Sequence, residues 1–469
     1  MEYYGDDSPI AALATGAGEN ALAIIRTSGK NCLQLLSSLF SNPQKLLSAP
    51  GNSVVLGWIL SNPSPLSNEE GEAERVDQVL ISVFRAPKSF TGEDCADISC
   101  HGGSATVNGV LSSLRAAGFR DSLRGEFTFR AFMNGKIGLT QVESVMEIVS
   151  SRTERSLQNA VKRLSGALER EISAIKEHLV EALAAVEIFL DYSEDEIPDN
   201  EDEKSGALPK KPLVQDCLQR LRELSASFHM ERLYQDGASV VIAGRPNAGK
   251  SSLFNRLVKQ DRSIVADAPG TTRDYIEAYI AVQGVPIRLV DTAGLRKTEN
   301  AVERIGVEYT QNLTKSADVL IYVVDGVEGL TVEDRVFLDG VSSAQATEAE
   351  KVITVFNKAD LLEQAGCLCV SAKTGQGLDD LAQAIVQALR VSGDESTTSV
   401  GIASVRQKDL IDSAVDCLSS ALALSEKREP LDVIAPLVRT AIDALGEITG
   451  QVSTADILET MFSKFCVGK

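Results

Sequence analysis

Val240 to Ser252, VVIAGRPNAGKSS, is the stretch whose reading decides the fold. A short apolar run leads into Gly244, four residues separate it from Gly249-Lys250-Ser251, and a segment with helical periodicity opens at Leu253 and Phe254. That is the strand, glycine-rich loop and helix of a phosphate-binding loop. The glycines let backbone N–H groups wrap a phosphate, and the helix offers its positive end. Lys250 reaches the outer phosphates, and the Ser251 hydroxyl can ligate magnesium. A strand-to-helix turn with no ligand has the same local pattern, so the assignment depends on the segments downstream of it.

Three further segments come in the order that a guanine-nucleotide switch requires. Ile287 to Val290 ends in Asp291-Thr292-Ala293-Gly294, where a carboxylate can hold magnesium through water and a glycine can approach the terminal phosphate. Val352 to Phe356 ends in Asn357-Lys358-Ala359-Asp360. Asp360 can accept the two protons that guanine presents and adenine lacks, and the Lys358 stem can cover the ring. Ser371-Ala372-Lys373 can offer a backbone N–H to the guanine oxygen, while Gly270-Thr271-Thr272-Arg273-Asp274 supplies hydroxyls to a loop that closes on magnesium. An α/β P-loop GTPase domain with a Ras-like doubly wound sheet is therefore expected over residues 237–390. One departure stands out: Ras-like switches place Gln after Asp-x-x-Gly to orient the attacking water, and here the residue is Leu295. Asn247, inside the loop, either stabilises the turn or gives its amide oxygen to a monovalent cation, and residue types alone leave both open.

The chain has 469 residues, of which 43% are hydrophobic, so about three domains with proper cores are expected. No apolar run approaches a membrane span, and the acidic start MEYYGDDSPI lacks the basic region of a leader, which points to the cytoplasm. Eight cysteines at irregular spacing point to buried free thiols. Three histidines make a histidine metal site a poor fit, and His101, beside Gly102-Gly103, reads as a loop residue. A net charge of -20 argues against a chain that grips nucleic acid over its whole surface, although a local basic patch or a basic partner is compatible with it.

Residues 1–135 mix β-branched runs at Ala21–Arg26, Val54–Ile59 and Val79–Phe84 with helical patterns at Cys32–Leu39 and Thr106–Ala117, an α+β domain. Asn62-Pro63-Ser64-Pro65 and the acids to Glu74 read as an exposed loop. From Leu164 through Leu168, Ile172, Ile175, Leu179, Leu183 and Val186 to Leu190 one apolar stripe predicts a long helix. A second is expected through Val214, Leu218, Leu221, Leu224 and Phe228, and helical patterns resume beyond residue 391. Residues 136–236 and 391–469 thus read as two halves of one α-helical domain into which the nucleotide domain is inserted.

GRPNAGKSS at Gly244, GTTRD at Gly270, DTAGLR at Asp291, ERIG at Glu303, LGEITG at Leu445 and the terminal FCVGK resemble the MnmE (TrmE) tRNA-modification GTPases. FTGED at Phe90 and GEFTFRAFMNGK at Gly125 are similar to that family as well, so the likeness spans nearly the whole chain. The resemblance implies an N-terminal folate-binding domain that dimerises, a helical domain and the inserted GTPase domain. It also implies an FAD-dependent MnmG (GidA) partner, in a heterotetramer or larger assembly. Together the two install an aminomethyl or carboxymethylaminomethyl group at position 5 of the wobble uridine of certain tRNAs. The carbon comes from 5,10-methylene- or 5-formyl-tetrahydrofolate.

Carried over residue by residue, the resemblance implies a GTP site of Asn247, Ala248, Gly249, Lys250, Ser251 and Ser252, then Ala266, Asp267, Ala268, Pro269, Gly270, Thr271 and Thr272. Asp291, Thr292, Ala293, Gly294, Asn357, Lys358, Ala359, Asp360, Ser371, Ala372 and Lys373 complete it. Lys250 and Glu303 are the implied catalytic residues, Glu303 positioning the water that no glutamine holds. Mg2+ falls to Ser251 and Thr272, and K+ to Asn247, Ala266, Ala268 and Thr271. Arg26, Asp97, Lys136 and Lys469 match the folate ligands. Asp97 departs from the family's Glu, and Ala14-Thr15-Gly16-Ala17-Gly18 lacks its proline and second arginine. Two rivals remain open: a GTPase switch in ribosome assembly, and a stand-alone one-carbon transferase that would leave the nucleotide motifs unexplained.

Overall fold

The structure is a computed structural model that describes residues 7–16, 18–61, 74–151, 153–191, 208–260, 276–291, 317–344, 352–361, 366–389, 400–451, 458, 461–463, 465 and 467–468. It divides into two compact units, Met1–Met146 with Leu445–Lys469, and Glu147–Ala444.

The first unit is built on a six-stranded sheet of β1 (Ile10–Leu13), β2 (Asn20–Ser28), β3 (Ser53–Leu60), β4 (Arg75–Phe84), β5 (Cys95–Gly102) and β6 (Arg120–Asp121), in the order β3-β4-β5-β2-β1-β6. All pairs are antiparallel except β1 with β6. Period-two alternation sends Ala23, Ile25, Val79, Ile81, Val83, Ala96 and Ile98 into one core, which also takes Leu33 and Leu36 of α1 (Cys32–Ser38) and Val107, Val110 and Leu114 of α3 (Ser104–Ala116). Between those helices in sequence lies the short α2 (Pro43–Ser48). Gly57 is required on β3, because a Cβ there would lie 2.3 Å from the Phe40 ring. The expected loop at 62–73 lies outside the described residues.

His101 corrects an expectation. It belongs to β5, not to a loop, because Asp77 on β4 accepts both its backbone N–H and a contact from its ring Nδ1, each at 2.8 Å. The thiols divide as well: Cys32, Cys95, Cys100 and Cys217 are buried, but Cys367 is exposed.

The first unit also contains α4 (Glu126–Met133), and its C-terminal segment packs there. Phe462 meets Phe129 edge-on at 5.2 Å, and Phe462 and Phe465 share a cluster with Leu139 and Val142.

In the second unit the predicted long helix is broken. Leu164 ends α6 (Glu154–Leu164), Ser165 caps it, and Gly166 at φ +78° turns the chain into α7 (Ala167–Asp191). The buried stripe runs from Leu168 to Val186, and Leu190 is exposed. α8 (Lys211–Asp236) buries Val214, Leu218, Leu221 and Leu224, and α12 (Val405–Glu426) buries Ile411, Leu418 and Leu422. Two helices, α5 (Leu139–Ser150) and α13 (Leu431–Thr449), run across the division between the units in sequence.

The nucleotide region of this unit is a sheet ordered β11-β10-β7-β9-β8, from β7 (Ala238–Ala243), β8 (Ile276–Val282), β9 (Val285–Asp291), β10 (Val319–Asp325) and β11 (Val352–Asn357). It is parallel except for the β8–β9 hairpin. Among the described residues, three helices accompany these strands: α9 (Lys250–Gln260), α10 (Val332–Ala344) and α11 (Leu378–Ala388). Every residue of β10 is buried, the pattern of a central strand covered on both faces. Leu233 and Tyr234, at the end of α8, sit in the same core as Val240 and Ile242.

Candidate functional site

The C-terminal ends of β7, β9, β10 and β11 deliver the candidate residues, as ligand sites of open parallel sheets require. After β7 the chain turns at Gly244, φ +141°, where a Cβ would lie 2.2 Å from the Val323 carbonyl oxygen of β10. Asn247 at φ +64° and Gly249 at φ +93° curl the loop into the first turn of α9. That turn carries Lys250, Ser251 and Ser252 and no acid, so its N-terminal dipole favours an anion. Lys250 is only 9% exposed, and its ammonium donates to the Arg245 carbonyl at 2.7 Å. Asp291, 1% exposed, is paired with Ile242 across β7–β9, which sets this residue at the strand end next to the start of the loop.

Asn357 joins the phosphate loop to the base loop. Its amide donates to the Ala248 carbonyl at 2.9 Å, and its oxygen accepts the Ala372 N–H at 3.1 Å. The residue is 3% exposed, so both bonds are made away from water. Ala359 N–H donates to the Val370 carbonyl at 3.0 Å, which holds Asn357–Asp360 against the turn at Ser371–Lys373. The Ser371 hydroxyl donates to Asp360 at 2.6 Å and is the main cause holding that carboxyl below the usual range; Lys373 acts in the same direction. Asp360 therefore stays an ionised acceptor at the mouth of the site.

Four residues that sequence reasoning missed brace this pocket. Arg245 pairs with Glu328 at 2.6 Å and with the buried Asp334 at 3.3 Å. Burial pushes the Asp334 carboxyl up, but the N–H and hydroxyl of Thr331 and the Tyr322 hydroxyl outweigh it and leave the group below the usual range. At the end of β10, Asp325 accepts the Lys358 ammonium. Burial again opposes ionisation, and Lys358 with the Val327 N–H outweighs it. Asp325 ends an apolar run as Asp291 does, and that shared signal could have found it.

In the first unit, Arg26 of β2 and Asp97 of β5 face each other in register. Two hydrogen bonds join them, at 3.0 and 3.1 Å, the fork geometry of a guanidinium on a carboxylate. The shorter Asp97 thus still reaches Arg26, and Arg26 also points to the Gly468 carbonyl at 3.5 Å. Gly468 is tight against β1, since a Cβ on it would lie 2.6 Å from the Leu13 carbonyl oxygen. Lys136 is engaged elsewhere: its ammonium donates to the Pro87 carbonyl at 2.9 Å and its stem lies against Gly92. Ala266, Asp267, Ala268, Pro269, Gly270, Thr271, Thr272, Thr292, Ala293, Gly294, Glu303 and Lys469 lie outside the described residues.

Comparison with known proteins shows which family the chain is similar to. Residues 139–466 match the family described as the MnmE helical domain, and residues 9–136 match the GTP-binding protein TrmE N-terminus. A tRNA modification GTPase MnmE of Treponema denticola is 40% identical, covering 99% of both chains. One of the same name from Carboxydothermus hydrogenoformans is 36% identical over 99% of this chain and 100% of its own. Among solved structures, the G domain of the T. maritima FeoB iron transporter is 28% identical and covers 32% of this chain and 98% of that one. Its TM-score of 0.23 is too low to carry a structural equivalence.

Proposed function

The chain belongs to the MnmE family of tRNA modification GTPases, and from that premise we propose that it binds GTP between its phosphate loop and base loop and hydrolyses it in the course of tRNA modification. The observation that carries this reading is Asn357, whose buried amide links Ala248 of one loop to Ala372 of the other. The base selector and the phosphate cradle are thereby built as one body. Asp360 accepts from the base and Lys358 covers it. Lys250 leaves the Arg245 carbonyl for the outer phosphates, where its charge offsets what develops on the transferred group.

The exposed Ser251 hydroxyl and the buried Asp291 carboxylate are hard oxygen donors suited to Mg2+, with Thr272 as the second direct ligand by resemblance. When bound, that ion neutralises phosphate charge. Asn247, exposed and held at φ +64°, offers an amide oxygen for K+, with Ala266, Ala268 and Thr271 completing that set by resemblance. Glu303 then orients the water that Leu295 cannot. Pairing of nucleotide domains from two copies completes the site and couples turnover to a change of state.

The finer reading is that of the family. A homodimer works with an FAD-dependent MnmG-type partner on the wobble uridine of tRNA, in the cytoplasm. In the described residues no helix is long and apolar enough to cross a membrane. A reduced folate supplies the carbon and sits at Arg26 and Asp97, with Lys469 as a further cation and Lys136 joining it by leaving the Pro87 carbonyl. The domain division we assign is 1–135, 136–236 with 391–469, and 237–390 inserted. Two measurements test the proposal. GTP hydrolysis should rise sharply when potassium replaces sodium and lose that response in Asn247→Ala; equal rates in both salts count against it. Mass analysis of tRNA from cells lacking the chain should show unmodified wobble uridine, and an unchanged modification profile refutes the tRNA role.

A further inference from the structure

The base loop is tied to a second loop that none of the sequence motifs marks. β10 ends at Asp325, directly opposite Asn357 in the parallel register, and the next residue, Gly326, donates its N–H to the Asn357 carbonyl at 2.8 Å. A Cβ on Gly326 would lie 2.4 Å from that carbonyl oxygen, so only glycine lets the two strand ends approach this closely. From this position Asp325, 8% exposed, accepts the Val327 N–H on Oδ1 at 3.0 Å and the Lys358 ammonium on Oδ2. Lys358 leaves the backbone at φ +69°, a left-handed conformation set by the base loop. Both ends of the lysine side chain are therefore fixed, one by its own backbone and the other by Asp325.

We propose that Asp325 is a positioning residue of the guanine pocket: by holding the Lys358 ammonium, it sets the aliphatic stem of that lysine as the flat wall on which the base stacks. The inference rests on the reading of the pocket as a guanine-nucleotide site and names a residue that the motifs do not. Asp325 touches neither base nor phosphate. It acts by ordering a side chain with four rotatable bonds before nucleotide arrives, so that binding does not have to order it. A carboxylate suits the task because an ammonium is a point charge that any neutral acceptor holds less firmly. The expected signature is a loss of nucleotide affinity with the chemical step left intact.

The test uses the full-length chain, with GDP titrated at equilibrium and GTP turnover measured at steady state. The variants are Asp325→Asn, Asp325→Ser, Lys358→Met and the double variant Asp325→Asn/Lys358→Met. Each Asp325 variant should weaken GDP binding about tenfold, the share of one immobilised flexible side chain, and should raise KM for GTP with kcat within about twofold. Lys358→Met keeps the stem and removes the ammonium, so adding Asp325→Asn to it should change the GDP Kd by less than about twofold. An unchanged Kd in the Asp325 variants, or the same tenfold loss in the Lys358→Met background, overturns the proposal. Asp325→Ser retains an acceptor for the Val327 N–H, so failure of the Asn variant to fold leaves the test in place. Loss of folded protein in both variants would show a role in the fold and overturn positioning. Failure of the unaltered chain to bind GDP overturns the pocket reading itself; binding by it with unaltered variants overturns only the role of Asp325.

Discussion

Replacing Gly249 with alanine tests the joint between phosphate loop and base loop at its tightest point. A Cβ at residue 249 would lie 2.1 Å from Nδ2 of Asn357, a separation that cannot be held, so the Asn357 amide must withdraw. Withdrawal breaks its bonds to Ala248 and Ala372 in a site where water does not replace them, a cost of about 1–3 kcal/mol for a group left unsatisfied. The backbone at φ +93° adds about 1 kcal/mol of strain for any side chain. Together these come to about 2–4 kcal/mol against the nucleotide-competent state, or roughly 30- to 1,000-fold in Kd for GDP. Calorimetric titration of GDP measures it. Gly284, in the β8–β9 turn at φ +82° with no atom within 4 Å of where a Cβ would sit, is the matched control. Gly284→Ala should cost about 1 kcal/mol of stability and leave the Kd unchanged. A Gly249→Ala chain that binds GDP within threefold of the unaltered one refutes the reasoning.

Three more outcomes are expected. Arg163, 2% exposed, pairs with Glu147 at 2.6 Å and Glu231 at 2.7 Å and donates to the Gly401 carbonyl, so Arg163→Met removes the cation shared by two carboxylates and should cost about 3–5 kcal/mol in urea unfolding; a loss under 1 kcal/mol contradicts this. Burial pushes the Glu126 carboxyl up, but Arg120, the Leu123 N–H and Arg130 outweigh it and lower it from 4.5. A depressed folded value gives stability that is present above the unfolded value and lost as pH falls through the folded one. The melting temperature should therefore drop below pH 4.5, and Glu126→Gln should flatten that limb; an unchanged acid limb refutes it. Finally, 5-formyl-tetrahydrofolate titrated onto the chain should bind saturably, and Arg26→Ala should abolish it by removing the partner that orients Asp97; binding unaffected by the substitution retires the assignment.

Features with local spacing were the legible ones in the sequence. The phosphate loop, the strand ends at Asp291 and Asn357 and the amphipathic stripe of α8 all declare themselves within a few residues, and the structure places them as that spacing requires. The bracing residues were not legible, because Arg245 and Glu328 meet across 83 positions of sequence and no periodicity encodes such a pair. Asp325 closes the run VLIYVVD as Asp291 closes its own run, yet the Gly326 and Gly329 that follow it lack the Asp-x-x-Gly spacing of Asp291–Gly294. His101 was misread for a physical reason: adjacent glycines signal a loop, whereas the Asp77 carboxylate on the neighbouring strand holds its backbone in the ladder. The helix break at Gly166 was visible as a glycine but hidden by an apolar stripe that continues in phase on both sides of it.

The central claim, that Asn357, Lys358, Asp360 and the turn at Ser371 form a guanine-selective pocket joined to the phosphate loop, is tested most directly by competition binding. Labelled GDP bound to the full-length chain should be displaced by GTP and not by ADP, and Asp360→Asn should weaken GDP while admitting the xanthine nucleotide, whose edge presents an acceptor where guanine presents a donor. Displacement by ADP as readily as by GTP, or an Asp360→Asn chain with unaltered base preference, would contradict the account.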